Sequence, residues 1–451
     1  MADYLIHKFQ YKDRYFLLDA ESGAVHLVEP IVYDMLDGFI GGAKEDTINA
    51  LSDKYDLETL ELAWEELSTV QENGLFLQEY VPFNFEYNPD NIIKAMCLHV
   101  AHDCNLRCTY CFASQGDFQG TRCLMELDTG KKALEFLAKN SGNRYNLEVD
   151  FFGGEPMMNW DVVKELVAYG RELETIYNKN FRFTITTNGL LLNEDNIAFI
   201  NEHMSNVVLS LDGRREVNDR MRSTVSGKGS YDLIVPKFQM LVGLRGDKDY
   251  YIRGTFTSNN LDFSEDVKLY KELGFNKTSM EPVVTDPREP YALHPHHMDE
   301  IMRQYDKLTD MMEEELKNKS GFLFFHFMLD LNQGPCVVKR SVGCGAGSEY
   351  IAVTPEGDIY PCHQFVGEEE YKLGNLDSGI ANNMIRDKFK EANIMTKSSC
   401  SSCWAKYYCS GGCHANAYYN NGNILIPYEP GCEMEKKRLE CSIYLSSIEK
   451  E

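Results

Sequence analysis

Two groups of closely spaced cysteines are the strongest chemical signal in this chain of 451 residues. The first group is Cys104, Cys108 and Cys111, spaced C-x3-C-x2-C directly after a predicted strand. Soft thiolates select zinc, copper(I) or iron–sulfur clusters, and a structural zinc site needs four closed ligands. Three thiolates leave one metal position open, which suits a cluster that binds a substrate or cofactor at one iron. The alternative is a zinc site with His102 as the fourth ligand.

The second group lies near the C-terminus and contains seven cysteines. They are Cys344, Cys362, Cys400, Cys403, Cys409, Cys413 and Cys432. The run from Cys400 to Cys413 has the spacing C-x2-C-x5-C-x3-C, and C-x2-C pairs also occur in zinc knuckles. These residues alone therefore allow either a pair of zinc sites or iron–sulfur clusters. Of the 14 cysteines, four lie outside both groups: Cys97, Cys123, Cys336 and Cys441.

Composition and charge narrow the class of protein. Lys and Arg total 45 against 70 Asp and Glu, a formal net charge of −25, whereas a nucleic-acid binder normally presents a basic face. No stretch approaches the roughly 18 apolar residues of a transmembrane helix, and the N-terminus lacks a basic segment followed by a long apolar run. We therefore expect no nucleic-acid partner, no membrane partner and a cytoplasmic location, where thiols stay reduced or hold metal.

Strands alternating with helices must position the first cysteine group. The predicted strands are Ala95–Ala101, Leu147–Phe152, Phe181–Thr186, Asn206–Leu211, Tyr250–Phe256 and Lys277–Val283. Helical patterns lie between them and after the last one. This alternation predicts an α/β fold with a parallel sheet, open or curled into a partial barrel. In such sheets the active site lies at the carboxyl ends of the strands, where the cysteine loop stands.

The predicted barrel occupies residues 95–320 and is flanked by two other regions. Residues 1–80 predict a module of three strands followed by three helices, a winged-helix-like order, and residues 81–94 predict a linker. Residues 321–451 predict a cysteine-rich domain with short strands. The first 90 residues contain 19 acidic and 5 basic side chains. This imbalance indicates either a solvated acidic surface or a docking face for a partner with basic residues.

The first cysteine group resembles the signature of the radical S-adenosylmethionine superfamily. The match is C-x3-C-x-aromatic-C, with Tyr110 in the aromatic position between Cys108 and Cys111. The resemblance implies a partial (β/α)6 TIM-like barrel. It also implies that Cys104, Cys108 and Cys111 hold a reactive 4Fe–4S cluster, to which S-adenosylmethionine binds.

Further motifs match that superfamily in order along the chain. Gly153-Gly154-Glu155-Pro156 follows the second strand, as does the GGEP-type motif that meets the amino group of the methionine moiety. Asn188 ends the third strand and Ser210 the fourth. In similar enzymes these positions lie near the ribose or carboxylate of the cofactor. Arg222 is a candidate partner of that carboxylate.

The second cysteine group resembles the SPASM extension of these enzymes, which carries two auxiliary 4Fe–4S clusters. By this resemblance the second auxiliary cluster has four ligands: Cys400, Cys403, Cys409 and Cys432. The first auxiliary cluster takes three: Cys344, Cys362 and Cys413. Three 4Fe–4S clusters are thus implied in all.

One thiolate is missing from the first auxiliary cluster. Cys336, eight residues before Cys344, could complete it. Alternatively one iron is open and binds a substrate thiolate, which coordination would deprotonate and position. We favour the open site. The other unassigned cysteines, Cys97, Cys123 and Cys441, are expected to behave as small hydrophobic residues.

Along its whole length the chain is similar to the thioether-forming maturases of SCIFF (six-cysteine-in-forty-five) peptides, and Pro361-Cys362-His363-Gln364-Phe365 is close to that subgroup. The resemblance implies a ribosomally made, cysteine-rich precursor peptide whose leader adds a strand to the N-terminal sheet near Ala24–Val28. It implies hydrogen abstraction by a 5′-deoxyadenosyl radical and a sactipeptide-like thioether. Ferredoxin or flavodoxin would supply electrons to this oxygen-sensitive oxidoreductase.

Three alternatives to thioether formation stay open. Anaerobic sulfatase maturases, which oxidise a Ser or Cys of a protein, are similar but place an Asp, the expected proton acceptor, after the corresponding cysteine. Here that residue is His363, which could accept a proton as a neutral imidazole or be structural. The second alternative is another radical peptide crosslink. The third is a non-catalytic scaffold that binds zinc or clusters.

Overall fold

The computed structural model describes residues 4–77, 92–329, 331 and 341–449. Most of the predicted linker at 81–94 lies outside these residues, as does Cys336. Within them the strands form three sheets, of three, two and twelve strands.

The N-terminal part is an antiparallel sheet covered by helices. Its strands are β1 (Ile6–Tyr11), β2 (Arg14–Asp19) and β3 (Val25–Val28), and β3 is an edge of the sheet. Its helices are α1 (Pro30–Gly41), α2 (Lys44–Leu51) and α3 (Leu57–Glu72). Pro30 suits the start of α1 because its φ is already helical, and Asp56 caps α3 by accepting a hydrogen bond from the Thr59 N–H at 2.9 Å. The predicted order of three strands and three helices is confirmed.

The central sheet contains the six predicted parallel strands. The strands of this region are β4 (Ala95–His102), β5 (Leu106–Cys108), β6 (Cys123–Leu124), β7 (Asn146–Gly153), β8 (Asn180–Thr187), β9 (Asn206–Ser210), β10 (Arg222–Thr224), β11 (Tyr251–Phe256), β12 (Lys277–Pro282) and β13 (Leu323–Phe324). The helices are α4 (Leu127–Lys139), α5 (Trp160–Tyr177), α6 (Glu194–His203), α7 (Arg215–Met221), α8 (Tyr231–Gly243), α9 (Phe263–Glu272) and α10 (Met298–Lys317). Strands β4, β7, β8, β9, β11 and β12 are parallel neighbours in that order. Their carboxyl ends therefore meet at one edge of the sheet.

The cysteine-rich part continues the central sheet. Its strands are β14 (Tyr350–Val353), β15 (Asp358–Tyr360), β16 (Gly374–Asn375) and β17 (Gly379–Ile380). Its helices are α11 (Asn383–Glu391), α12 (Ser398–Ser401), α13 (Lys406–Cys409), α14 (His414–Asn421) and α15 (Glu429–Glu449). Strand β14 pairs in parallel with β4, from Tyr350 opposite Ala95 to Val353 opposite Leu98. The sequence did not predict this pairing, because the two strands are about 250 residues apart and nothing local marks the contact.

The N-terminal part packs on both of the other regions. The Tyr11 hydroxyl donates a hydrogen bond to Asp306 on α10 at 2.6 Å. The His7 ring stacks on Trp404, with centroids 3.8 Å apart and an angle of 2° between the planes, and Trp404 is the neighbour of Cys403. The predicted α/β fold, with its parallel sheet and C-terminal cysteine-rich domain, is confirmed. In the part of the chain that the structure describes, no helix is both long and apolar enough to cross a membrane.

Candidate functional site

The first cysteine group lies on the loop that leaves the carboxyl end of β4. Cys104 follows this strand, Cys108 ends β5, and the Cys111 N–H donates to the Cys108 carbonyl at 3.3 Å. Strands β5 and β10 pair antiparallel, which places Arg222 opposite Cys108. The loop thus brings three thiols to one cavity and holds Arg222 in its wall.

Two glycines let β7 approach this loop closely. A Cβ atom on Gly153 would lie 2.1 Å from the carbonyl oxygen of Ala101, and one on Gly154 would lie 2.2 Å from that of Asp103. Gly153 also has a φ of 124°, which other residues rarely adopt. The GGEP motif therefore seats the end of β7 directly against the start of the cysteine loop.

Glu155 is buried and held by three hydrogen bonds. Its carboxylate accepts from the Asn188 N–H at 2.8 Å, the Thr187 hydroxyl at 2.7 Å and the Met157 N–H at 3.1 Å. Burial raises the pKa of Glu155 to about 7, against these hydrogen bonds. A nearby cation would restore the ionised form, so the position suits the amino group of a bound amino acid.

Asp212 links two of the predicted cofactor contacts. The Tyr110 hydroxyl donates to Asp212 at 2.6 Å, and Nε of Arg222 lies 3.0 Å from the other carboxylate oxygen. The Arg222 guanidinium also lies 5.5 Å from the centre of the Tyr110 ring, within cation–π range. The sequence did not single out Asp212. The sequence feature that could have identified it is an acidic residue directly after the fourth predicted strand, in the segment Leu209-Ser210-Leu211-Asp212-Gly213.

One cavity is lined by all eleven residues predicted for the reactive cluster, the cofactor and proton transfer. They are Cys104, Cys108, Tyr110, Cys111, Gly153, Gly154, Glu155, Asn188, Ser210, Arg222 and His363. Lining residues that the sequence did not predict include Arg253 and Thr255 on β11 and Glu281 on β12. The sequence feature that could have identified these residues is a polar side chain at alternate positions near the carboxyl end of a predicted strand.

A chain of polar contacts leads from Glu281 away from the cavity. Oε1 of Glu281 lies 3.2 Å from Nε2 of His326, whose Nδ1 lies 2.9 Å from Nη1 of Arg438. Because arginine only donates, His326 accepts at Nδ1 and donates from Nε2. Arg438 also pairs with Glu435, which lines the pocket of the C-terminal cysteines. Burial alone would raise the pKa of Glu281, but His326, Arg253 and Arg438 hold it well below its usual range.

Cys344, Cys362 and Cys413 are neighbours in the C-terminal domain. Cys362 is buried, and its pKa is raised well above its usual range by burial and by the neighbouring Cys413 and Cys344. His363, the next residue, lines the cavity of the first cysteine group. The chain directly after Cys362 therefore reaches that cavity, although none of these three thiols lines it. Cys336, the other candidate ligand, lies outside the described residues.

His363 is enclosed by aromatic side chains. Its Nδ1 lies 3.0 Å from the Tyr350 hydroxyl, and its ring centre lies 5.5 Å from Phe112 and 5.1 Å from Phe152. Burial lowers the pKa of His363 to about 3, and the charge of Arg253 acts in the same direction. The imidazole is therefore neutral near pH 7. A role in proton transfer stays a prediction.

The other four C-terminal cysteines, Cys400, Cys403, Cys409 and Cys432, line a single pocket. Burial raises the pKa of Cys409 to about 12 and that of Cys432 to about 11. Lys397 is 1% exposed and donates to the Gly411 carbonyl at 2.7 Å. Burial lowers the pKa of Lys397, against the nearby thiols of this pocket and of Cys413. The sequence did not predict this buried amine near both C-terminal sets of thiols.

The thiol groups fit iron–sulfur clusters by their chemistry. Burial raises the pKa of both Cys104 and Cys108 to about 12. Such thiols ionise readily only beside a cationic centre, and a coordinated metal deprotonates its thiol ligands outright. Sets of three and four sulfur ligands are those that 4Fe–4S clusters use. The three sets of cysteines can therefore hold the clusters that the sequence predicted.

The cysteines outside these sets differ in how deeply they are buried. Cys97 and Cys441 are buried, as expected of small hydrophobic residues. The same expectation was wrong for Cys123, which is only partly buried and donates a hydrogen bond to Glu356 at 3.0 Å. Pairing of β6 with the end of β4 holds Cys123 at the surface, beside His102.

Comparison with known proteins identifies two domains. Residues 98–235 match the Radical SAM superfamily, and residues 344–404 match the SPASM iron-sulfur cluster-binding domain. A cysteine-type anaerobic sulfatase-maturating enzyme of Clostridium novyi is 28% identical over 367 residues, covering 76% of this chain and 92% of that protein. The mycofactocin maturase MftC of Mycobacterium tuberculosis is 28% identical, covering 78% and 86%. The subtilosin biosynthesis protein AlbA of Bacillus subtilis is 24% identical, covering 71% and 67%.

Solved structures share the fold. Native anSMEcpe with bound AdoMet superposes with a TM-score of 0.65 at 19% identity, covering 79% of this chain and 99% of that one. SuiB of Streptococcus suis bound to the precursor peptide SuiA gives 0.52 at 16% identity, covering 92% and 96%. The two matched domains imply S-adenosylmethionine and 4Fe–4S clusters as cofactors. The chain is therefore a radical S-adenosylmethionine protein, with a Radical SAM domain at residues 98–235 and a SPASM domain at residues 344–404.

Proposed function

We propose that this chain is an enzyme that installs thioether crosslinks in a ribosomally made, cysteine-rich precursor peptide, as do the SCIFF maturases that its sequence resembles. The observation that carries the proposal is that the cavity of the first cysteine group is also lined by the two residues that follow Cys362 in the chain. Cys104 lines this cavity, and so does His363, the neighbour of Cys362. A peptide bound there would reach both an S-adenosylmethionine site and a second sulfur-ligated iron site.

The cofactors would be held by residues of both domains. Cys104, Cys108 and Cys111 would hold the reactive 4Fe–4S cluster, and the two C-terminal sets would hold the two auxiliary clusters. When bound to the reduced cluster, S-adenosylmethionine would provide the radical that abstracts a hydrogen atom from an unactivated C–H bond. Ferredoxin or flavodoxin would provide the electron that reduces the cluster. Glu155 would accept the amino group of the cofactor, and Arg222 would face its carboxylate.

The residues of this chain would orient the peptide and manage its protons. Arg253 and Glu281 present opposite charges in the cavity, to which amide and thiol groups of a peptide can hydrogen-bond. The imidazole of His363 is neutral and can accept a proton only transiently, since its pKa is lowered to about 3. Each thioether would remove one C–H hydrogen atom, which the 5′-deoxyadenosyl radical would take, and one S–H hydrogen, which would leave as a proton and as an electron that the auxiliary clusters would accept.

A groove on the N-terminal module supports the proposal of a leader-binding site. It has a volume of about 300 Å³ and lies between the edge strand β3 and helices α1 and α3. Its lining includes Leu27, which is 54% exposed, and Val70. Nε2 of His26, also in the lining, is buried and has no hydrogen-bond partner among the described residues. An added peptide strand would cover the apolar side chains and offer this nitrogen a partner.

The charge of the groove indicates the kind of leader. Glu29 and Glu66 both line it. Carboxylates beside apolar side chains favour a peptide segment that combines apolar residues with Lys or Arg. The groove lies beside Ala24–Val28, the segment where the leader is expected from the sequence to add a strand.

The proposed reaction is tested by mass spectrometry of the peptide. The reconstituted enzyme is incubated with S-adenosylmethionine, a reductant and a short cysteine-rich peptide sought among the open reading frames that neighbour this gene. We expect a loss of two hydrogens per crosslink that survives treatment with thiol reductant. A loss that reductant reverses is a disulfide and contradicts the proposal. The triple variant of Cys104, Cys108 and Cys111 to Ala is the control, and it should form neither crosslink nor 5′-deoxyadenosine.

The missing ligand of the first auxiliary cluster is tested separately. We propose that a substrate thiolate, rather than Cys336, completes this cluster. Cys336→Ala should then keep about 12 Fe per chain, four for each cluster, and should still form crosslinks. Loss of iron from this variant would assign Cys336 as the fourth ligand.

A second candidate function is oxidation of a Ser or Cys in a folded or nascent protein. The similarity to the Clostridium novyi enzyme favours it, because that relative is named for sulfatase maturation. The residue after Cys362 is His363, however, where the maturases are expected to carry Asp. Treatment of the product with a hydrazine reagent before mass spectrometry distinguishes the two functions. Oxidation of the Ser or Cys yields an aldehyde, which the reagent labels, whereas the reagent does not label a thioether.

A further inference from the structure

A cluster of three potential metal ligands lies outside the two cysteine groups. His102, Cys123 and Glu356 each offer one ligand atom, and these atoms lie within 4.8 Å of one another. None of the three lines the cavity of Cys104 or the pocket of Cys400. The cluster is therefore separate from the sites described above.

Three different elements bring these side chains together. His102 ends β4 and is the partner of Cys123 in the antiparallel pair of β4 with β6. Glu356 lies in the turn between β14 and β15, which passes the same end of β4 because β14 and β4 are parallel neighbours. Cys123 already donates to Glu356 at 3.0 Å.

The imidazole of His102 is held in place as a ligand requires. It is 5% exposed and stacks on Phe118, with ring centres 4.6 Å apart. Its Nε2 lies 3.2 Å from Nδ1 of His99, which leaves the other nitrogen to bind a metal. Metal-binding histidines usually have such a second partner, which fixes the orientation of the ring.

We propose that His102, Cys123 and Glu356 bind a zinc ion that joins the Radical SAM domain to the SPASM domain. A thiolate, an imidazole and a carboxylate are the three ligand types that zinc accepts, at about 2.0–2.3 Å, with water in the fourth position. Tetrahedral ligands at these bond lengths lie about 3–4 Å apart. Because Glu356 is exposed, rotation of its side chain can close the set. The proposal does not depend on the thioether reaction.

The test measures zinc and iron in the cluster-loaded protein. The protein is incubated anaerobically with an equivalent of zinc chloride and desalted, and both metals are measured by mass spectrometry. We expect about one zinc per chain in the wild type and a loss of at least fivefold in Cys123→Ser and in Glu356→Gln, with iron unchanged. Glu370→Gln, an exposed carboxylate of the same domain, is the matched control and should keep its zinc.

X-ray absorption at the zinc edge distinguishes this site from zinc in an empty cluster site. We expect one sulfur at about 2.3 Å and nitrogen or oxygen ligands at about 2.0 Å. Zinc surrounded by three or four sulfurs, zinc that persists in both variants, or no bound zinc at all would overturn the proposal.

Discussion

The imidazole of His326 donates from Nε2 to Glu281 across 3.2 Å and accepts from Arg438 at Nδ1 across 2.9 Å. Glu281 lines the cavity of the first cysteine group, and Arg438 pairs with Glu435 at the pocket of the C-terminal cysteines. A hydrogen-bonded route thus connects the two sites. It fixes the tautomer of His326 and keeps Glu281 ionised.

Glu281→Gln should lower turnover about 10- to 100-fold, the range expected for losing a hydrogen bond to a charged group. The reason is that glutamine keeps the shape of the side chain but removes the negative charge that faces Arg253 and His326. Turnover and 5′-deoxyadenosine formation are measured on protein with matched iron content. Glu265→Gln, an exposed carboxylate on α9 that lies near Lys268, is the control. A change below twofold in Glu281→Gln would show that the charge is unimportant.

Gly153→Ala should prevent the GGEP loop from seating against β4. The added Cβ meets the Ala101 carbonyl oxygen at 2.1 Å, and the φ of 124° strains any larger residue. We expect a loss of about 3 kcal/mol in the free energy of unfolding and little cleavage of S-adenosylmethionine. The control is Gly243→Ala at the end of α8, where an added Cβ would have no atom within 4 Å. This variant should keep the stability of the wild type and its cleavage of S-adenosylmethionine. Normal cofactor cleavage by Gly153→Ala would contradict the assigned role of the loop.

Asp150→Asn should stabilise the protein more at pH 8 than at pH 6. Asp150 accepts from the Thr186 hydroxyl at 3.2 Å, and burial raises its pKa to about 7. Since the folded pKa lies above the unfolded value, the carboxyl group favours the folded state at low pH and loses this contribution as pH rises through 7. Asparagine does not titrate. The free energy of unfolding of Asp150→Asn, relative to that of the wild type, should therefore rise by about 1 kcal/mol from pH 6 to pH 8. Thermal unfolding at the two pH values checks this; an equal advantage at both would refute it.

Leu27→Asp should weaken binding of the leader peptide about tenfold or more, because it places a charge among the apolar groove residues on β3. Fluorescence anisotropy with a labelled leader measures the affinity. Leu62→Asp is the matched control, since Leu62 lies on α3, is 60% exposed and does not line the groove. Equal affinities for the two variants would place the leader elsewhere.

Local patterns predicted the elements and most of the cavity. The six parallel strands followed from hydrophobic runs separated by helical periodicity, and the cysteine spacings located the thiol sets. Contacts between distant residues gave no such signal. His326 and Arg438 are separated by 112 residues in the chain, and Lys397 looks like an ordinary surface lysine in the sequence. Burial and pairing of these residues depend on tertiary packing, which no local pattern records.

The pairing of β14 with β4 means that the SPASM domain completes the sheet of the Radical SAM domain. Without β14, the backbone of β4 from Ala95 to Leu98 would become an open edge, and exposed edge strands recruit other chains and aggregate. The two domains therefore cannot be cut apart or exchanged between enzymes at the boundary of the cysteine-rich region. A functional chimaera must carry β14 together with the barrel whose first strand it covers.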